Sequence, residues 1–420
     1  MATLNKTGTF IEKNIPVFDR IIETCIYLFI LLLFITKGEG VRNTLLFLNF
    51  FLWLITLKYR QNKSALYEPV SLVYWGFMVS AIVSAILSID MWYSIKQLGG
   101  DFMKSLLFFP VLSTVFSDEK RLRRLIYAVF FVLIVTVSNG YYSYFAYHLQ
   151  TMMAESPLRH AYHNRFAMDL NLLLPFSFIL LLTARRLLPK LVIIIAIPVT
   201  ILALVLTVSR AGIIAFVVTV SVWIVYGLRN SRLRLKPLLI GVISAFLILA
   251  GAAYYFDPNV KNRLALVSQP EHPISTLNKR TDIWLPTVYA AAHRPVFGWG
   301  YGEQIFRMDI PFEKASVKTS PYKIDPELRD AHNTFISTFF NQGIVGLTLY
   351  LTLLVISVRV FWKNIDSCNM RSYILLSCAS ILIGTYFVHS LVEVVKFRYL
   401  TLVVGIGLAA KNLNSENSHH

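Results

Sequence analysis

Long apolar stretches occupy most of the chain and constrain its fold more than any other feature. A helix needs about 20 mostly apolar residues to cross the hydrocarbon core of a bilayer. Twelve stretches approach or exceed that length, near 21–36, 41–57, 69–89, 98–117, 123–147, 166–184, 189–207, 211–228, 237–256, 333–361, 372–390 and 393–410. Because backbone polar groups inside a bilayer must be satisfied within the protein, these stretches predict an all-α polytopic membrane protein.

The composition agrees with a membrane protein. Of the 420 residues, 56% are hydrophobic and 15% are charged, whereas soluble domains carry about 25% charged residues. The net charge of +17 does not indicate a nucleic-acid-binding protein, because the basic residues are interleaved with apolar runs. Three cysteines (Cys25, Cys368 and Cys378) form no spacing typical of a disulfide framework or a zinc site.

The distribution of Lys and Arg predicts the orientation. With a cytoplasmic N-terminus, the inner segments hold 21 of the 40 basic residues and the short outer loops hold nine. Cytoplasmic loops of membrane proteins carry an excess of Lys and Arg, so both termini are expected in the cytoplasm. We expect the inner-loop charges to orient the protein and to need no partner.

One long outer loop, residues 257–331, is expected to be inserted into a single membrane domain that spans residues 1–420. The loop contains an amphipathic stretch, Lys279 to Ala292, with apolar residues at helical spacing. A glycine-rich turn follows at 298–302, and then a charged segment interrupted by prolines. Loops of this length in compact proteins are usually functional or disordered, and the aromatic residues and helical pattern favour function.

A histidine on the outer side is the candidate base. His332 follows Asp330 in what we expect to be the first turn of the tenth span, with Asp330 as the N-cap. The positive end of the helix dipole disfavours an imidazolium, and a neutral imidazole can accept a proton as a general base. The alternative is an interfacial histidine that bonds to water or to a lipid headgroup.

Two arginines are candidates for phosphate binding. Arg210 stands at the start of the eighth span, where a helix N-terminus also favours anions. Arg280 begins the amphipathic stretch, and its guanidinium fork suits phosphate. The alternatives are a snorkelling interfacial side chain for Arg210 and a solvated loop side chain for Arg280.

A third group of cationic candidates lies in the outer loop between the fifth and sixth spans. Arg159, His160, His163 and Arg165 fall within seven residues. Positive charges this close repel one another unless an anion or an acidic side chain lies between them. Each of these residues taken singly is typical of an exposed surface.

Missing motifs narrow the function classes. The spans contain few carboxylates, with Asp169 and Glu393 near span ends, which disfavours an ion-coupled carrier. The chain has no GxxxxGK[ST] phosphate loop and no outer Asp-x-Asp pair for a divalent ion, although Asp325 and Glu327 come close to one. The remaining groups suit a lipid-linked phosphate and proton removal from an acceptor.

Taken in order, these motifs resemble the bacterial O-antigen ligase/polymerase superfamily. The resembling segments are Ser209–Gly212, Arg280 with Trp284, Arg294–Gly300, and His332–Asn333 with Gly343 and Gly346. The layout of spans with a large loop before the tenth is also similar.

The resemblance implies a GT-C-like membrane glycosyltransferase of lipopolysaccharide biosynthesis that is metal-independent and without a cofactor. Direct displacement at the anomeric carbon would make it an inverting enzyme. Such an enzyme transfers a glycan from undecaprenyl pyrophosphate to an acceptor hydroxyl on the periplasmic face of the bacterial inner membrane. By resemblance, His332 would be the general base, while Arg210 and Arg280 would hold the pyrophosphate. Arg159 or Arg165 would be a third phosphate contact.

The acceptor distinguishes three activities on this scaffold. A ligase uses a sugar of lipid A core, a polymerase another undecaprenyl-linked glycan, and a protein O-oligosaccharyltransferase a protein. The chain length and the single large outer loop late in the chain favour the ligase. A lipid or polysaccharide transporter would instead predict paired charges within the bundle and repeat symmetry, which the sequence lacks.

Overall fold

The computed structural model describes residues 2–35, 38–60, 63–156, 159–229, 236–265, 273–307, 330–366 and 369–413. The near-miss metal pair Asp325 and Glu327 therefore lies outside the described residues.

The described residues form fifteen α-helices. These are α1 (Ala2–Ile35), α2 (Glu39–Thr56), α3 (Pro69–Ile86), α4 (Met91–Val115), α5 (Glu119–Ala146), α6 (His163–Thr183), α7 (Leu187–Leu206), α8 (Arg210–Arg229), α9 (Lys236–Phe256), α10 (Pro258–Ala265), α11 (Pro273–Ala292), α12 (Glu303–Arg307), α13 (Thr334–Lys363), α14 (Met370–Ile381) and α15 (Phe397–Lys411). Helix α14 continues through a π-helical turn, Leu382–Val388, and a 3-10 turn, His389–Leu391. A short antiparallel hairpin, β1 (Ala154–Ser156) and β2 (Arg159–Ala161), separates α5 from α6.

The prediction of an all-α polytopic membrane protein is confirmed. Over the described residues, ten helical segments are long and apolar enough to cross a membrane: α2 to α9, α13, and α14 with its continuation. The first and last predicted spans fall in α1 and α15. Helix α15 has 15 residues, about 22 Å at the usual helical rise, and the apolar part of α1 begins beside two carboxylates, Asp19 and Glu23. These features explain why both helices differ from the other ten.

Small residues let the helices approach closely. A Cβ added to Gly384, in the π-helical turn, would overlap α8 at Ala215 and Thr219. Close approach at small residues is the usual basis of packing between helices in membranes. The continuation of α14 therefore lies directly against α8, and α13 packs against α3 while α15 packs against α4.

Charged residues at one end of the bundle correct the expectation that inner-loop charges need no partner. Asp19 and Glu23 of α1 are both buried. Arg60 donates to Asp19 at 2.8 Å, Arg121 also pairs with Asp19, and Arg124 donates to Glu23 at 2.8 Å. Because a buried carboxylate is costly without a partner, these three arginines stabilise the packing of α1 as well as orienting the chain.

Candidate functional site

The linker between α14 and α15, residues 392–396, is fastened to the start of α13 and to α11. The backbone carbonyls of residues 391, 392 and 393 accept hydrogen bonds from Asn333, Arg280 and Thr334, in that order, at 3.1, 3.1 and 2.9 Å. Three side chains from two distant parts of the sequence therefore hold three consecutive peptide groups. This arrangement fixes the backbone on which the candidate site is built.

The Glu393 carboxyl lies at the centre of this arrangement. Burial raises its pKa, and the neighbouring carboxyl of Asp330 raises it further. The charges of His332, Arg165 and Arg280 act in the opposite direction. Since such interactions require proximity, the structure brings together three of the predicted site residues, from α6, from α11 and from the loop before α13, around one carboxyl group.

His332 lies in a strained backbone conformation and faces Asp330. Its φ angle is +47°, a left-handed conformation that residues other than glycine seldom adopt. The Asp330 carboxyl accepts a hydrogen bond from the His332 backbone N–H at 2.7 Å, and the same oxygen lies 3.4 Å from His332 Nδ1. Asp330 thus fixes the backbone of the histidine and lies beside Nδ1 of its ring, which leaves Nε2 to act on a ligand.

The helix boundary differs from the one predicted. Helix α13 begins at Thr334, and its N-cap is Asn333. The Asn333 Oδ1 accepts hydrogen bonds from the backbone N–H groups of Phe335 and Ile336 at 2.9 and 3.1 Å. His332 therefore precedes the cap and does not lie in the first turn, and the prediction of Asp330 as the N-cap is wrong. The Asp330 carboxyl already accepts the His332 N–H, so the free N–H groups at the start of α13 are capped by Asn333 instead.

Arg280 is not a solvated loop residue. It lies on α11, half-buried, and donates to the carbonyl of Val392. Burial lowers its pKa, while Glu393 acts to raise it. One turn later, the indole N–H of Trp284 donates to the carbonyl of Ala331 at 3.0 Å. These two bonds hold α11 against both the linker and the loop that carries His332.

The segment before Arg210 forms a tight turn against α6. The Ser209 hydroxyl accepts from the Gly212 N–H at 3.1 Å, which caps α8, and it donates to the side chain of Asn164 at 2.8 Å. A Cβ at Gly212 would overlap Ala167, so glycine is required by the close approach of the two helices. Val208, just before this turn, has a φ of +52°, which is unusual for a β-branched residue.

Arg210 itself is exposed at the N-terminus of α8. Helix α8 contacts the 3-10 turn His389–Leu391, which leads directly into the linker that carries Glu393. Arg210 therefore lies at the same end of the bundle as Arg280 and His332. In the part of the chain that the structure describes, no ion pair engages it, so its guanidinium is available to an anion and the snorkelling alternative stays open.

The structure separates the two candidates for a third phosphate contact. Arg159 lies on β2, opposite Ser156, and its side chain is outside what the structure describes. Arg165 lies in the first turn of α6 and acts on Glu393. Arg165 is therefore the residue that the structure places beside the other site residues.

The Arg294–Gly300 segment supports the kink of α13. The N–H groups of Trp299 and Gly300 donate to the carbonyls of Phe340 and Asn341 at 2.9 and 3.1 Å. At the kink, Gly343 has a φ of +66°, and a Cβ there would overlap the backbone of Val296. Gly343 therefore forms a bend in α13 that receives the outer loop.

Comparison with known families agrees with this arrangement. Residues 195–351 match a family model described as O-antigen ligase. The match covers less than half of the chain and supports its assignment to the O-antigen ligase family. The match includes Arg210, Arg280 and His332, while Arg165 and Glu393 lie outside it. It supports an O-antigen ligase or polymerase type of function, that is, a glycosyltransferase-like enzyme embedded in the membrane that acts on lipid-linked glycans.

Comparison with the curated proteins gave no match.

Glu393 and Asn333 are the site residues that sequence reasoning did not assign. Glu393 was visible only as a carboxylate near a span end. The available signal was its place in a short linker between two strongly apolar stretches, where an acidic residue needs a partner. Among the described residues, no three His, Cys, Asp or Glu side chains lie close enough together to hold a metal ion. Metal independence stays a prediction.

Proposed function

We propose that this protein is an O-antigen ligase. It transfers a glycan from undecaprenyl pyrophosphate to a sugar hydroxyl of lipid A core, on the periplasmic face of the bacterial inner membrane. The observation that carries the proposal is the convergence of Arg165, Arg280 and His332 on Glu393. A site for this reaction needs cations for a pyrophosphate and a base for a hydroxyl, within reach of each other.

His332 is the proposed base. The acceptor hydroxyl oxygen attacks the anomeric carbon of the donor sugar and gives its proton to Nε2 of His332. The bond between that carbon and the pyrophosphate oxygen breaks at the same time, so the electron pair leaves with undecaprenyl pyrophosphate. Attack from the side opposite the leaving group inverts the anomeric configuration. Asp330, 3.4 Å from Nδ1, orients the ring.

Arg210 and Arg280 hold the pyrophosphate in this proposal, with Arg165 as the third contact. Preorganised cations stabilise the negative charge that develops on the leaving oxygen. Burial lowers the pKa of Arg280, which means that its guanidinium has lost part of its hydration. An incoming phosphate would replace the lost water as a hydrogen-bond partner. The Val392 carbonyl holds the guanidinium in position until the donor arrives.

The proposed placement has the whole chain, residues 1–420, acting as one membrane domain. The loop 257–331 and the site face the periplasm, and both termini face the cytoplasm. The paired arginines at the other end of the bundle (Arg60, Arg121 and Arg124) agree with a cytoplasmic location for that end under the positive-inside rule.

One reconstitution tests the proposal. The purified protein is placed in liposomes with an undecaprenyl-pyrophosphate-linked glycan, and lipid A core is either added or omitted. We expect glycan on lipid A core, no product without that acceptor, and an inverted anomeric linkage by NMR. The same reactions with EDTA should give equal yields.

Each other outcome contradicts part of the proposal. Glycan chains that lengthen without lipid A core would make the protein a polymerase, and transfer to an added pilin-type protein would make it a protein O-oligosaccharyltransferase. Movement of the intact donor across the bilayer without transfer would indicate a transporter. Loss of activity with EDTA, restored by a divalent ion, would assign a role to a metal.

A further inference from the structure

An apolar groove runs along the membrane-spanning surface between α8, α13 and the π-helical turn, away from the candidate site. Its volume is about 700 Å³. The wall from α8 consists of Val218, Ser221, Val222 and Val225, and the wall from α13 includes Val355 and Trp362. The Ser221 hydroxyl donates to the carbonyl of Val217 in its own helix, so the walls offer hydrocarbon to an occupant.

One end of the groove is cationic. Arg359 and Lys363 line it beside the valines, and both are exposed. Their spacing of four residues places them on one face of α13. Arg229, the last residue of α8, lies four residues beyond Val225 and so continues the stripe of the opposite wall.

This cationic end lies opposite the candidate site. Helices α8 and α13 begin at Arg210 and Thr334, beside the site, and both run towards the other end of the bundle. Lys363 is the last residue of α13. The groove therefore offers apolar walls within the bilayer and positive charge at the membrane surface farther from the site.

Among the described residues, no carboxylate pairs with these cations. Within the described ranges, Arg359 and Lys363 take part in no ion pair, and residues 230–235, which follow α8, contain no acidic residue. The nearest carboxylate along the chain, Asp366, pairs with Arg371 at 3.0 Å and accepts from Ser372. A ligand with a negative headgroup would supply the missing charge.

We propose that this groove binds an anionic phospholipid, with its acyl chain along the valine walls and its phosphate at Arg359 and Lys363. Basic pockets between membrane helices are typical sites for anionic headgroups. The polyprenyl chain of a donor whose pyrophosphate lies at the candidate site would fill the same walls, but its far end carries no charged group. The paired cations therefore favour the phospholipid.

Native mass spectrometry of the full-length protein in detergent tests the proposal. Phosphatidylglycerol and phosphatidylcholine with the same acyl chains are titrated separately. We expect one tightly held phosphatidylglycerol per chain, and binding of phosphatidylcholine that is weaker by about 10- to 30-fold, because each basic residue contributes a few-fold to anionic lipid binding.

Two substitutions locate the site. Arg359→Gln/Lys363→Gln should weaken phosphatidylglycerol binding by about 10- to 30-fold, and Val222→Trp should prevent it by filling the groove. The matched controls are Arg185→Gln/Arg186→Gln, two exposed arginines at the same end between α6 and α7, and Val217→Trp on the lipid-facing side of α8. Both controls should bind as the wild type does.

Three results would overturn the proposal. The first is equal binding of the two phospholipids by the wild-type protein, a comparison that needs no variant to fold. The second is an equal loss of binding in the arginine controls, which would indicate a general surface charge effect. The third is displacement of bound phosphatidylglycerol by undecaprenyl phosphate at equimolar concentration, which would assign the groove to a polyprenyl chain. All three are independent of glycan transfer.

Discussion

The carboxyl group of Asp330 makes two contacts with His332: it accepts the backbone N–H at 2.7 Å and lies 3.4 Å from the ring nitrogen Nδ1. The histidine is thereby held in a left-handed conformation, with a φ of +47°. Backbone strain of this kind costs of order 1–3 kcal/mol and occurs preferentially at functional sites. Asp330 stabilises this conformation and leaves Nε2 to face a ligand.

Replacing His332 by alanine should remove glycan transfer and leave donor binding intact. A positioned general base contributes about 10²- to 10⁴-fold to the rate, so we expect a loss of that size in the initial rate with lipid A core. His293 lies on the same outer side, with its ring Nδ1 bonded to the Tyr289 carbonyl at 2.9 Å, and provides the control His293→Ala. Wild-type rates in His332→Ala would refute the base assignment.

Arg280→Lys separates guanidinium geometry from charge. A lysine keeps the positive charge but loses the planar fork and the bond to the Val392 carbonyl at 3.1 Å. We expect weaker donor binding and transfer reduced by about 10-fold or more, since a charge-assisted hydrogen bond contributes about 1.5–3 kcal/mol. Binding of the lipid-linked donor, measured by microscale thermophoresis, checks this.

Arg210→Ala should weaken donor binding in the same way as Arg280→Ala. The side chain of Arg210 is exposed, so its loss should leave the melting temperature unchanged. The matched variant Arg294→Ala removes an outer-side arginine that lies over the ring of Trp299 at 4.7 Å. It should reduce stability with little effect on donor affinity. If Arg210→Ala binds the donor with wild-type affinity, Arg210 acts only at the lipid interface.

Glu393→Gln should stabilise the protein at neutral pH. The pKa of Glu393 is raised above its ordinary value of 4.5 in the folded state, so the ionised carboxylate is disfavoured there. Folding is therefore favoured below the ordinary pKa, and that contribution is lost as the pH rises through the raised value. Glutamine stays neutral and removes this pH dependence.

Thermal unfolding of the detergent-solubilised protein between pH 4 and pH 8 checks this. The variant should melt above the wild type at high pH, and the difference should vanish towards low pH. Glu119→Gln, at an exposed ion pair with Arg123, should give a curve parallel to the wild type. A variant that is less stable than the wild type at pH 8 would contradict the sign.

Hydrophobicity predicted most of the fold because helix formation within a bilayer depends on local sequence. The span over α13 was predicted for the same reason, and so was the helix around Arg280. The contacts of Glu393 could not be predicted in this way. They depend on a linker near the C-terminus folding back onto Asn333 and Thr334, some 60 residues earlier in the chain, and no local pattern encodes that pairing.

The error at the start of α13 has a similar cause. Asp330 and Asn333 are both suitable N-caps by residue type, and the sequence alone does not choose between them. The choice depends on the left-handed turn at His332, which directs the Asp330 carboxyl to the His332 N–H. Asp330, which sets the geometry of the proposed base, was thus correctly identified, but it was predicted to cap α13 and instead accepts the His332 N–H.

Gly343→Ala tests whether the kink of α13 supports the site. Gly343 has a φ of +66°, and a Cβ there would overlap the backbone of Val296, so the substitution combines backbone strain with a steric clash. We expect a loss of at least about 2 kcal/mol in unfolding free energy. Gly251→Ala in α9, where an added Cβ meets nothing within 4 Å, should instead stabilise the helix by about 0.5–1 kcal/mol. Urea unfolding in detergent measures both, and a Gly343→Ala variant as stable as Gly251→Ala would show that the kink is dispensable.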